Sequence, residues 1–132
     1  MLHQAERRAR KHGSTVSLQL GDVQHLEFPN DSFDAAVATF VFCSVPDPVK
    51  GLSELRRVVK PGGTVYLLEH MRSPHETVRQ IMDFLNPVTV CLMGVHINRQ
   101  TIANVEASGL KITSAHDIWA GGIYKRLTAR VP

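Results

Sequence analysis

Hydrophobic and polar residues alternate strictly from Thr15 to Leu20, placing Val16, Leu18 and Leu20 on one face. That period of two predicts a strand with one solvated side. Gly21-Asp22 punctuates its end, and Pro29-Asn30-Asp31 marks a turn further on. The run FDAAVATFVF, Phe33 to Phe42, is different: apolar almost throughout, and rich in small and β-branched residues. It predicts a strand covered on both faces, as in a parallel sheet. Asp47-Pro48 then has the form of an N-cap followed by proline in the first turn. Val49, Leu52, Leu55 and Val59 supply the buried stripe of that helix, and Pro61-Gly62-Gly63 is expected to stop it. Thr64 to Leu68 is a second apolar strand, closing on Glu69-His70. Strand, helix and strand at this spacing predict a βαβ unit, whose crossover should be right-handed.

Residues 2–12, rich in Ala, Glu, Arg and Gln, predict a short helix with Gly13 as its C-cap. Ser73-Pro74-His75-Glu76 has the form of a capping box. The helix it opens is expected to bury Val78, Ile81, Met82 and Leu85 and to break at Asn86-Pro87. Asn98 is expected to cap a further helix ending at Gly109. Leu110 to Trp119 and Ile123 to Arg130 flank Ala120-Gly121-Gly122 and predict an antiparallel hairpin. The class is therefore α/β.

Composition narrows the function. The 132 residues suit one domain, with an ordinary apolar fraction of 43%. Fifteen basic and twelve acidic residues leave a formal charge of +3. The densest basic run, Arg7, Arg8, Arg10 and Lys11, has no aromatic residue near it and reads as a solvated helix face. That pattern does not suggest a nucleic-acid partner. Cys43 and Cys91 are the only cysteines, without metal-ligand spacing, so no metal site is expected and a reducing, cytoplasmic setting is. No apolar run approaches the roughly 18 residues of a membrane helix, so no transmembrane segment is expected.

Three ordered blocks carry a resemblance. They are the G-D then L-x-F-P turn (Gly21, Asp22, Leu26, Phe28, Pro29), the S-F-D strand entry (Ser32 to Asp34), and E-L-x-R-V-x-K-P-G-G (Glu54 to Gly63). In this order and spacing the chain resembles the class I S-adenosylmethionine-dependent methyltransferases of the UbiE-like, methyltransferase type 11 group. A narrower similarity, to methyltransferase-like proteins that include thiol methyltransferases, lies in F-C-S-V (Phe42 to Val45), E-H (Glu69-His70), N-P (Asn86-Pro87) and G-x-H-x-N-R (Gly94 to Arg99). Val95 stands where that subfamily often has cysteine.

The resemblance implies a partial Rossmann-like sheet with parallel central strands and a C-terminal antiparallel hairpin. The family's seven strands lie in the order 3-2-1-4-5-7-6. Residues 15–20 would be its third strand, 33–42 its fourth, 64–69 its fifth, and the hairpin its last two. Residues 1–132 would form the C-terminal two-thirds of the domain, without its first two strands and its glycine-rich cofactor loop. No two of the nine glycines are separated by a single residue, so no G-x-G occurs. S-adenosyl-L-methionine is the cofactor implied, and a small molecule, a thiol or a quinone-like or lipid-like compound, the methyl acceptor.

On this footing Asp22 and Val23 match the positions that hold the adenine, and Thr39 and Phe40 those that face the methionine part. His70, at a strand end, could take a proton from a thiol or hydroxyl acceptor. Each has a plainer reading: Asp22 as a turn residue beside glycine, Thr39 as packing, His70 as a solvated loop residue. Cys43 reads as a buried structural thiol, and His96 as a residue that organises its loop. Without the first two strands, residues 15–20 cannot reach 33–42 in the family register. Three outcomes are open: a truncated product, a strand that re-pairs, or a partner that completes the sheet. Turnover by this chain alone is not expected. The alternative function is a non-enzymatic interaction module that forms homo-oligomers through an exposed sheet edge.

Overall fold

The computed structural model describes residues 2–11, 16–73, 75–119 and 123–132. The elements run α1 (Leu2–Lys11), β1 (Phe33–Thr39), α2 (Pro48–Val58), β2 (Val59–His70), α3 (Glu76–Met93), α4 (Thr101–Ala107), β3 (Lys111–Trp119) and β4 (Tyr124–Arg130). They form a four-stranded sheet in the order β1-β2-β4-β3. β1 and β2 are parallel, while β4 is antiparallel to both β2 and β3. This is the order 4-5-7-6 that the resemblance implied. Gly13, Thr15, Pro74 and the hairpin turn 120–122 lie outside the described residues.

One face of the sheet is the core. Register aligns Ala36 with Val65 and Ala38 with Leu67, then Leu67 with Leu127 and Val65 with Ala129. Leu52, Leu55 and Val58 of α2 and Val105 of α4 close over them. Asp47 caps α2, its carboxylate accepting from the Lys50 N–H at 2.9 Å, with Pro48 in the first turn. The buried stripe of α2 includes Gly51 and Val58, with Val49 only half-buried and Val59 already in β2.

Pro61-Gly62-Gly63 does not separate helix from strand; it lies inside β2, at a register shift opposite Phe33/Ala35. The site leaves no room for a side chain at Gly63. A Cβ there would stand 2.7 Å from the Asp34 carbonyl oxygen and 2.8 Å from that of Lys60. Gly62 adopts φ 77°, which glycine reaches at no steric cost.

Several sequence expectations are corrected. Residues 16–20 form no strand; Val16, Leu18 and Leu20 are exposed. Alternation makes a strand possible, but a ladder needs a paired neighbour, and residues 16–20 pair with no described strand. β1 is not covered on both faces: Val37 is 75% exposed, because α2 and α4 close over the opposite face, which carries Ala38.

α3 continues through Asn86-Pro87 instead of breaking there. His75 is its N-cap without a side-chain bond, and the Ser73 hydroxyl accepts from the His75 N–H at 3.2 Å. Of the four residues expected to be buried, only Met82 is; Val78, Ile81 and Leu85 face outward. Polar residues anchor the inner side of α3 instead. Asp83 pairs with Arg72 and accepts from the Asn98 side chain, and Asn86 Oδ1 accepts from the Ile97 N–H. Asn98 is thereby committed to Asp83, and α4 starts later, with Gln100 at its N-cap.

Candidate functional site at the carboxyl ends of the parallel strands

In open α/β sheets ligands lie beyond the carboxyl ends of the strands. Here that region is organised by Glu69, which the sequence offered as a strand end and as part of the E-H pair, without a role of its own. Glu69 is fully buried. Its Oε1 accepts from the N–H groups of Val41 at 2.9 Å and Phe42 at 3.1 Å. Phe40, just before them, has φ 54°, a left-handed conformation that costs a non-glycine residue about 1–2 kcal/mol. Its N–H donates to the Leu68 carbonyl at 2.9 Å. The turn thus aims two successive N–H groups at one carboxylate oxygen, the arrangement of an anion-holding nest. Oε2 has no partner among the described residues, and burial pushes the Glu69 carboxyl above the ordinary glutamate value. A charged residue ending an otherwise apolar strand was the available signal.

Thr39 and Phe40 lie at the end of β1, both exposed, where expected. Asp22 does not follow a strand but opens a tight turn, bridged to His25. Its Oδ1 accepts from the Gln24 backbone N–H at 2.9 Å and from the Gln24 side chain at 3.3 Å. These bonds hold the carboxyl below its ordinary value. Gln24 Oε1 in turn accepts from the Asp47 N–H at 2.9 Å, tying the turn to the start of α2. Val23 and Phe42 both crowd Gly51, whose Cβ would lie 3.4 Å and 3.0 Å from their side chains. The Asp22-Val23 turn and the Phe40–Cys43 loop are therefore packed against the same turn of α2.

The E-L-x-R block acts from below. Glu54 Oε2 accepts from the Leu26 N–H at 2.8 Å. Arg57 binds Glu54 through two nitrogens and donates to the carbonyls of Leu26 and Phe28 and to Asn30 Oδ1. This clamp fixes the loop that follows the Asp22 turn.

His70 points to the other face of β2. Its ring meets Tyr124 edge-on at 5.2 Å, and Phe40 meets the same tyrosine at 6.1 Å. Tyr124 was not anticipated; only its place at the start of a hairpin strand could have suggested it. Burial pushes His70 below the ordinary histidine value, so the ring is the neutral base at pH 7, and its Nδ1 has no partner among the described residues. Cys43 is buried, its thiol donating to the Phe40 carbonyl at 3.5 Å, and burial raises its value. It is a structural thiol and not an activated one. The His96 N–H donates to the Cys43 carbonyl at 2.9 Å, which joins the two loops.

These residues fit part of an S-adenosylmethionine site. An exposed, ionised carboxylate at Asp22 suits an amino group, and the strained turn at Phe40 stands beside it across Gly51. The close backbone approach that a G-x-G loop gives is not among them.

The arrangement is that of a class I methyltransferase sheet and its strand-end loops. A family model described as a methyltransferase domain matches residues 1–67, just over half of the 132-residue chain, and the chain belongs to that family. It is 39% identical over 69 residues to the ubiquinone/menaquinone biosynthesis C-methyltransferase UbiE of Bdellovibrio bacteriovorus, covering 52% of this chain and 29% of that one. It is 34% identical over 82 residues to the thiol S-methyltransferase TMT1B of Rattus norvegicus, covering 61% and 34%. The chain thus spans about a third or less of the curated relatives it matches. Among solved structures, a SAM-dependent methyltransferase from Methanosarcina mazei superposes with TM-score 0.73 at 20% identity, over 98% of this chain and 76% of that one. The [4+2]-cyclase SpnF superposes at 0.77 with 21% identity, over 99% and 62%. A cyclase on the same fold shows that the fold alone does not carry the chemistry.

No described helix is long and apolar enough to cross a membrane.

Proposed function

We propose that residues 1–132 form the C-terminal two-thirds of an S-adenosylmethionine-dependent methyltransferase domain, acting on a small-molecule acceptor. The observation that carries this is the Glu69-held turn at Phe40, packed across Gly51 from the Asp22 turn. Asp22 and Val23 would hold the adenine end of the cofactor, and Thr39 and Phe40 its methionine end. The cofactor supplies an activated methyl group on a sulfonium. The chain's own work is to position donor and acceptor and to manage one proton. His70, neutral and walled by Tyr124, would receive that proton from an acceptor thiol or hydroxyl. A thiol is the first acceptor class, supported by the likeness to a protein described as a thiol S-methyltransferase. A quinone-like or lipid-like molecule is the second, supported by the UbiE likeness.

Calorimetric titration of the chain with S-adenosylhomocysteine tests this. Heat that saturates, and that Asp22→Asn weakens, is the expected result. No heat at near-millimolar ligand would end the proposal.

A second reading, an interaction module, is favoured by one observation: the outer edge of β1 meets no described strand. Unpaired edges template association. A monomer by size-exclusion chromatography with light scattering would sink that reading.

A further inference from the structure

Beside the strand-end loops lies an open cavity of about 340 Å³ that none of the roles above uses. That volume falls within the range of small-molecule sites, about 300–1,000 Å³. Met71, Ile102 and Ala103 give it an apolar wall, and four cationic side chains, Arg72, Arg79, Arg99 and Lys125, also line it.

Three of these cations are already compensated. Arg72 pairs with Asp83, Arg79 with Glu76 and Lys125 with Asp117. Glu106 also lines the cavity, is exposed, and pairs with none of them. Arg99 is the exception: it makes no ion pair among the described residues. Its Nη2 donates to the Val45 carbonyl at 2.8 Å, a neutral acceptor. Its Nε is buried without a partner among the described residues, and so is the Nε of Arg72. A half-buried guanidinium with an orphaned N–H is costly unless an anion completes it. The fork geometry of arginine matches carboxylate and phosphate oxygens in particular. Burial, and after it the nearby charge of Arg99, holds His96 below the ordinary histidine value.

We propose that this cavity binds an anionic group, a carboxylate or a phosphate, carried on an apolar body, with Arg99 as its principal partner. The position gives the site a use. Val45 belongs to the loop after β1, Met71 to Ser73 follow β2 directly, and the Arg72 N–H donates to the Arg99 carbonyl at 3.2 Å. A ligand here would sit against residues 71–73, with Arg99 tying its site to the loop after β1 through the Val45 carbonyl. Its role as the seat of an anionic, apolar methyl acceptor rests on the proposed transferase function; binding itself does not.

The test is titration of the full chain with octanoate, octyl phosphate and 1-octanol. At least one of the two anions should bind about ten-fold or more tighter than the alcohol. The stronger of the two identifies the headgroup. Arg99→Gln should abolish that difference, and if this variant fails to fold, Lys125→Gln should reduce it. In the unaltered protein, backbone amide shifts on adding the anion should centre on residues 71–73 and 100–103. Equal affinity for octanol, shifts centred elsewhere, or no binding of any of the three compounds would overturn the proposal. Saturable S-adenosylhomocysteine heat without anion binding would remove this inference alone. Anion binding without that heat would remove only the transferase reading.

Discussion

Glu69 shows how one side chain sets the shape of a site. Its carboxylate replaces the water that the Val41 and Phe42 N–H groups lose on burial, and so permits Phe40 to remain left-handed. Glu69→Ala would leave both donors unsatisfied, at a cost of about 1–3 kcal/mol. Glu69→Gln keeps an oxygen acceptor and should retain the turn. The two variants should also differ from the parent in pH dependence. Burial raises the folded-state value of Glu69, so folding takes up a proton at pH values between the unfolded and folded pKa. Its favourable condition is complete below the unfolded value, about 4.3, and is lost as pH rises through the folded one. Denaturant midpoints across pH should therefore show the parent losing stability relative to Glu69→Gln as pH rises. Parallel curves would refute this assignment.

At the scale of elements, α2 organises both the core and the loop at residues 26–30. Leu52, Leu55 and Val58 face the sheet, while Glu54 and Arg57 reach the loop carbonyls and N–H groups. The arginine holds the Glu54 carboxyl down, to about 2. The sign is opposite to that of Glu69. The stabilisation is present above the unfolded value of about 4.3 and is lost as pH falls through about 2. Acid unfolding followed by circular dichroism should have a flatter limb between these values in Glu54→Gln. Arg57→Lys should lower the denaturant midpoint relative to the parent, because lysine cannot bridge the carboxylate and three further acceptors at once.

This helix was legible because its signals are local: a cap, a proline and an apolar period. The P-G-G block was legible as punctuation but not as a bulge, since the crowding at Gly63 comes from Asp34 on another strand and from Val59 and Lys60, which the bulge itself brings close. Residues 16–20 carry a local strand pattern and form no strand, because pairing is a non-local requirement. Asp22 could be singled out by motif and Phe40 by its place at a strand end, whereas Glu69, although part of the E-H pair, and Tyr124 acquire their roles only through partners about 28 and 84 residues away in the chain.

Across the whole molecule, the sheet buries one face under α2 and α4 and leaves Val37 and Tyr66 on the other face exposed. α3 follows neither pattern. Its inner side is joined to the molecule by polar bonds of Asp83 and Asn86, while Ile81, Phe84, Val88 and Leu92 lie outward on one helical stripe. Phe84 is 81% exposed and Met82 only 6%. Hydrophobic periodicity found the helix correctly but gave the wrong side, because it cannot say which face the protein holds. The two side chains separate the possibilities. Phe84→Gln should change global stability by no more than about 0.5 kcal/mol, as expected of a surface site. Met82→Ala should remove packing that the exposed stripe cannot replace. Since α3 is held mainly by a few polar bonds, the loss should appear as local opening, with faster hydrogen exchange at residues 76–93 than in the parent while β2 and β4 exchange as before. A larger effect from Phe84→Gln than from Met82→Ala would mean that the apolar stripe, and not the polar side, is the buried face of α3 in solution.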